Sequence, residues 1–126
     1  MRKICIITGS RAEYGLLYSL LKKIKKDKST ELQVVATCMH LLPKFGSTYK
    51  EIIKDGFKIN YKVKMSIPSS KPESITSATG LGMVGFSKAF SKLKPDLVVV
   101  LGDRFEILSA SFAALSKNIP IAHIHG

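Results

Sequence analysis

"KICIITGSRAEYGLLYSLLKKIKK", residues 3–26, decides the fold. Residues 3–8 form a short apolar run, Gly9 ends it, and Leu17, Leu20, Leu21 and Ile24 then recur at helical spacing. A strand that feeds a glycine turn and then an amphipathic helix is one βα unit.

The unit recurs along the chain. "ELQVVATC" (31–38) is apolar and β-branched, a loop with Pro43 and Gly46 follows, and "TYKEIIKDG" (48–56) offers a Thr48/Glu51 capping box with Gly56 as its stop. "KINYKVKM" (58–65) alternates apolar and polar residues at Ile59, Tyr61, Val63 and Met65, as a half-exposed strand near a sheet edge does. After the break "SIPSSKPES", residues 73–93 carry Ile75, Leu81, Val84, Phe86 and Phe90 at helical intervals. "DLVVVLG" (96–102) is a buried strand by its continuous apolar run, "DRFEILSASFAALSKN" a helix and "IPIAHIHG" a last strand. Parallel neighbours need helical, right-handed crossovers, so the pattern predicts an α/β fold with a doubly wound parallel sheet.

"GLGMVG" (80–85) has the glycine spacing of a dinucleotide-binding turn. That spacing has meaning only where a strand runs straight into a helix, and here it lies within a helical pattern. Gly80, Gly82 and Gly85 are expected to let this helix approach the sheet or another helix closely.

Composition narrows the function classes. A chain of 126 residues with 45% hydrophobic content suits one globular domain. Its apolar runs are too short for a membrane span and "MRKICIITG" enters a strand directly, so a cytoplasmic location is expected. The net charge is +11, much of it in "KKIKKDK" at a helix end, where cations suit the negative end of the dipole. No aromatics interleave with these lysines and no nucleic-acid motif is visible, so a nucleic-acid partner is not expected. Cys5 and Cys38 fall in the strand patterns with no metal or redox spacing, and read as reduced core thiols.

Ligands of open α/β sheets bind beyond the carboxyl ends of the strands. Two turns leave that rim with charged residues. The first, "TGSRAEYG", carries Arg11 and Glu13, which either meet a phosphate or sugar or cap and solubilise the helix start. The second, "LGDRFEI", carries Asp103 and Arg104: paired arginines would neutralise a diphosphate and the aspartate handle a proton, or Asp103 is an N-cap. His40 follows the second strand at the same rim, and His123 and His125 share one face of the last. No third ligand accompanies them, so sugar or proton contacts are expected before metal.

Four motifs in order, "TGSRAEYGLL", "ATCMHLLPKFGST", "LGDRFEIL" and "IPIAHIHG", together resemble the N-terminal part of the hydrolysing UDP-N-acetylglucosamine 2-epimerases, above all the sialic and polysialic acid branch. The resemblance runs through essentially the whole chain. It implies a Rossmann-like half of a glycosyltransferase-B type enzyme over residues 1–126, truncated, with the C-terminal nucleotide-binding domain absent. The implied reaction eliminates UDP from UDP-N-acetylglucosamine and adds water to give N-acetylmannosamine, with no cofactor. By motif, Arg11, Gly15, Glu13 and Arg104 would bind substrate, and Asp103, His40 and His125 would act at the sugar. The family pattern continues past "HIHG" into a further glycine and an acidic residue, so this polypeptide alone is expected to have little or no turnover. The exposed surface of an incomplete sheet is expected to favour self-association. A nucleotide-sugar-binding module, or a glycosyltransferase half without epimerase activity, would share the fold.

Overall fold

The computed structural model describes residues 1–41, 48–65, 69 and 71–125. The loop with Pro43 and Gly46, most of the break before the third major helix, and Gly126 lie outside the described residues.

Strand β1 (Arg2–Thr8) leads into α1 (Arg11–Lys26), β2 (Thr30–Thr37), a 3-10 turn (Cys38–Leu41) and α2 (Tyr49–Lys54). There follow β3 (Tyr61–Val63), α3 (Pro72–Leu93), β4 (Leu97–Leu101), α4 (Phe105–Ser116) and β5 (Ile121–Ile124). All neighbours pair in parallel in the order β3-β2-β1-β4-β5. β1 is therefore central, and the expected edge strand does lie at an edge, although it is only three residues long.

Side chains alternate across the sheet, so each strand feeds two cores. Cys5, Ile7, Val35, Val98 and Val100 pack with Phe86 and Phe90 of α3 and with Ile107, Ala110 and Ala113 of α4. Ile6, Val34, Val99 and Leu101 pack on the opposite face with Leu17, Leu21 and Ile24 of α1 and Ile52 of α2. Helices α1 and α2 thus cover one face and α3 and α4 the other. The chain changes faces between β1 and β4, and beyond the carboxyl ends of strands at such a switch point open α/β sheets bind their ligands.

"GLGMVG" lies in the interior of α3, away from any strand-to-helix turn. A Cβ on Gly82 would strike Met65 Cε and come within 2.8 Å of Ser109 Oγ, and one on Gly85 would meet Val63 Cγ1 at 2.6 Å. Close packing against β3 and α4 accounts for these two glycines. Gly80 departs from the expectation, since a Cβ there would meet nothing within 4 Å. On the outer faces of α3 and α4, Leu81, Val84, Leu108, Phe112 and Leu115 are all more than half exposed. No helix among the described residues is long and apolar enough to cross a membrane.

Two local expectations need correction. Thr48 precedes α2 in a helical backbone conformation and makes no side-chain cap, because its hydroxyl is hydrogen-bonded to His40. Cys38 is buried as expected but lies in the 3-10 turn after β2, at φ 57°.

Candidate functional site

The β1 turn is built by a capping motif. Ser10 caps α1 with its backbone extended, and its hydroxyl accepts from the Glu13 N–H at 3.3 Å. The Glu13 carboxylate folds back and Oε2 accepts the Gly9 N–H at 2.7 Å. Glu13 is thereby drawn inward and only 9% exposed. Burial pushes its pKa up, the negative charge of Glu106 adds to the rise, and the Gly9 N–H, Arg104 and Ser10 oppose it.

His40 lies in the floor of this turn, completely buried. Its Nε2 is 2.9 Å from the Thr8 hydroxyl and its Nδ1 is 2.8 Å from the Thr48 hydroxyl, so both ring nitrogens are engaged. Burial lowers its pKa to about 4, against a smaller upward pull from the Ser10 backbone. The ring is neutral at physiological pH, and it ties the end of β1 to the start of α2.

The β4 turn begins at Gly102, whose φ of +85° suits a residue without a side chain. Its N–H donates to Ile124 O at 2.9 Å, and its carbonyl is hydrogen-bonded to His123 Nε2. The turn is thereby fixed to the end of β5. Asp103 is exposed, and the residue at the N-cap of α4 is Arg104, with no side-chain cap bond. The N-cap alternative for Asp103 is therefore not what the structure shows.

Arg104 is half-buried, and its Nε lies 3.3 Å from Glu106 Oε1. Glu106 is completely buried. That distance is an ion pair without hydrogen-bond alignment, so Oε1 has no directed donor. Burial pushes the Glu106 pKa up, while its own backbone N–H and Arg104 pull it down.

Of the eight residues singled out from sequence, Glu13 and Arg104 are brought into electrostatic contact through Glu106. Arg11 points toward α2, where its Nε lies 3.2 Å from Glu51 Oε2. With Gly15, Tyr14, Tyr18 and Asp55 it lines an open hollow of about 290 Å³. His123 and His125 do not act as a pair: His123 holds Gly102, and the exposed His125 lies past the end of β5 at φ 55°. Among the described residues no three His, Cys, Asp or Glu side chains gather as metal ligands would.

Glu106 was the residue missed. An acid in the first turn of a helix normally serves the helix dipole from the surface. Its spacing to Ser109, Ala110 and Ala113, all on the buried stripe of α4, was the available signal.

The family model described as UDP-N-acetylglucosamine 2-epimerase matches residues 22–126. A Campylobacter jejuni protein named GDP/UDP-N,N'-diacetylbacillosamine 2-epimerase (hydrolyzing) is 46% identical over 99% of this chain and 32% of its own length. Polysialic acid biosynthesis protein P7 of Escherichia coli is 38% identical over 100% of this chain and 32% of its length. The chain thus spans about a third of the length of these curated relatives. A solved Methanocaldococcus jannaschii UDP-GlcNAc 2-epimerase, in complex with UDP-GlcNAc and UDP, superposes on 98% of the chain with a TM-score of 0.81 at 23% identity, covering 32% of that structure. At that identity the likeness speaks for the fold.

Proposed function

The chain belongs to the UDP-N-acetylglucosamine 2-epimerase family, and we propose that it supplies the N-terminal half-site of a hydrolysing 2-epimerase acting on a UDP-linked 2-acetamido sugar. The observation that carries this reading is the placement of the Gly9 and Gly102 turns at the carboxyl ends of β1 and β4, where the helices change faces. Open parallel sheets bind ligands there.

In the proposed reaction a base removes the proton at C2 while the C1–O bond to UDP breaks, leaving a glycal. Water then adds its oxygen to C1, and C2 regains a proton on the opposite face. The products are the 2-epimeric free sugar and UDP. Arg104 stabilises the charge that develops on the departing diphosphate, and Arg11 joins it on leaving Glu51. Exposed Asp103 and His125 exchange protons at the sugar. Buried His40 acts by positioning the β1 turn, and Gly15 leaves room beside Arg11. Glu13 completes the binding turn through Gly9.

The test replaces the matched N-terminal third of the Campylobacter jejuni relative with this chain. The chimera is offered UDP-N-acetylglucosamine and UDP-N,N'-diacetylbacillosamine in D2O. UDP release with one deuterium at C2 of the free sugar is expected from one of them, and Arg104→Ala should slow release by roughly a hundredfold. The isolated chain should release little or none. A folded chimera that releases UDP from neither sugar overturns the proposal.

A further inference from the structure

The reading above gives Glu106 no task, yet its carboxylate touches all three turns at the rim of the central strands. Its Oε1 and Cγ lie 3.1 Å from the point where a Gly9 side chain would begin, and Oε2 is 4.0 Å from Cys38 Sγ. Its Oε1 is 3.3 Å from Arg104 Nε. A fully buried carboxylate without a directed donor on one oxygen is costly, and it persists where a cation faces it. Glu13, the other carboxylate at this turn, is already engaged by Gly9 and Ser10. Arg104 is the cation facing Glu106, and it is 38% exposed, so its guanidinium spans from the buried acid to the rim.

We propose that Glu106 is a positioning residue for the epimerisation: it anchors the Nε edge of Arg104, which leaves the terminal amino groups of that guanidinium to fork onto the diphosphate. A guanidinium held along one edge loses less freedom when its other donors engage a phosphate. The assignment rests on the nucleotide-sugar reading above. Removing Glu106 has two opposed effects, because the lost negative charge draws a diphosphate in while the lost anchor loosens the arginine. Two neutral replacements of similar length separate them: Glu106→Gln offers an oxygen to which Nε–H can turn as the guanidinium aligns on a phosphate, and Glu106→Met does not.

The experiment uses the 126-residue chain for exchange and the chimera described above, which supplies a nucleotide-binding domain, for affinity. Hydrogen exchange at the Arg104 Nε–H is followed by nitrogen-15 NMR without ligand, and UDP affinity is measured by calorimetry. In the wild-type chain the Arg104 Nε–H should exchange roughly tenfold more slowly than that of a solvated arginine, and in Glu106→Met that protection should vanish. Both variants lack the charge, so the Gln variant should bind UDP roughly fivefold or more tighter than the Met variant. Equal affinities in the two variants overturn the positioning role. An unprotected Nε–H in a wild-type chain whose chimera binds UDP sinks that role alone and leaves the nucleotide-sugar reading standing. A protected Nε–H in a chain whose folded chimera does not bind millimolar UDP sinks the nucleotide-sugar reading, and the role with it, while the anchor stands. The wild-type exchange rate needs no substitution, so it decides the anchor even where the Met variant does not fold.

Discussion

Gly9 donates its backbone N–H to Glu13 Oε2 at 2.7 Å, so the first turn of α1 closes the loop from which that helix starts. Replacing Glu13 by alanine leaves this N–H without its acceptor and removes the return arm of the cap. The expected cost is about 1–3 kcal/mol, read from the urea midpoint, and Glu13→Gln should cost less because an amide oxygen still accepts. Equal losses for the two variants would contradict the role given to this hydrogen bond.

The raised pKa values of Glu13 and Glu106 give the fold a pH signature. Each carboxyl holds a proton more readily in the folded chain than in the unfolded one. Their contribution is therefore full below the ordinary glutamate value of about 4.3 and is lost as pH rises through the raised folded values. Glu106→Gln removes one of the two losses. Its stability relative to wild type should improve steadily as pH is raised, and an offset that does not change with pH would refute the burial argument.

His40 has the opposite sign. Its folded value of about 4 lies below the ordinary 6.5, so its contribution is present above 6.5 and is lost as pH falls toward 4. The full loss is on the order of 3 kcal/mol. Replacing His40 by glutamine should flatten the acid limb of the stability profile by a comparable amount. Thr48→Val, which leaves Nδ1 buried without a partner, should destabilise by about 1–3 kcal/mol at neutral pH.

Two of the three glycines of α3, Gly80 and Gly85, should respond in opposite directions to alanine. Gly80 is open on the Cβ side, so Gly80→Ala should stabilise by up to about 1 kcal/mol through helix propensity. Gly85 faces the β-branched Val63, which has little freedom to retreat, so Gly85→Ala should destabilise by about 1–3 kcal/mol. Thermal unfolding of the two single variants checks the sign of each.

The sheet, its strand order at the edge and the placement of "GLGMVG" inside a helix were legible because hydrophobic period and turn residues carry that information locally. Caps were less so. Among the described residues the pattern Ser/Thr-x-x-Glu occurs at Ser10–Glu13 and at Thr48–Glu51, and only the first forms a cap. The second loses its hydroxyl to His40, which arrives from a different turn of the chain. Among the site residues, the rim position of Arg104 followed from strand and turn, whereas the buried carboxylate beneath it did not. Arg11 was expected beside Arg104, but the acid on α2 that attracts it lies far along the chain and had no local signature.

Gly9 is small for a reason unrelated to backbone torsion, since it is not among the residues at positive φ. A Cβ there would lie 3.0 Å from Glu13 Oε2 and 3.1 Å from both Cγ and Oε1 of Glu106. Residues 9 and 106 therefore share one volume, and substitutions at them are epistatic. Gly9→Ala should be better tolerated in a Glu106→Ala background than alone, with a coupling energy of about 0.5–3 kcal/mol in a double-mutant cycle. The order of change in evolution is therefore fixed: position 106 must shorten before position 9 can gain a side chain.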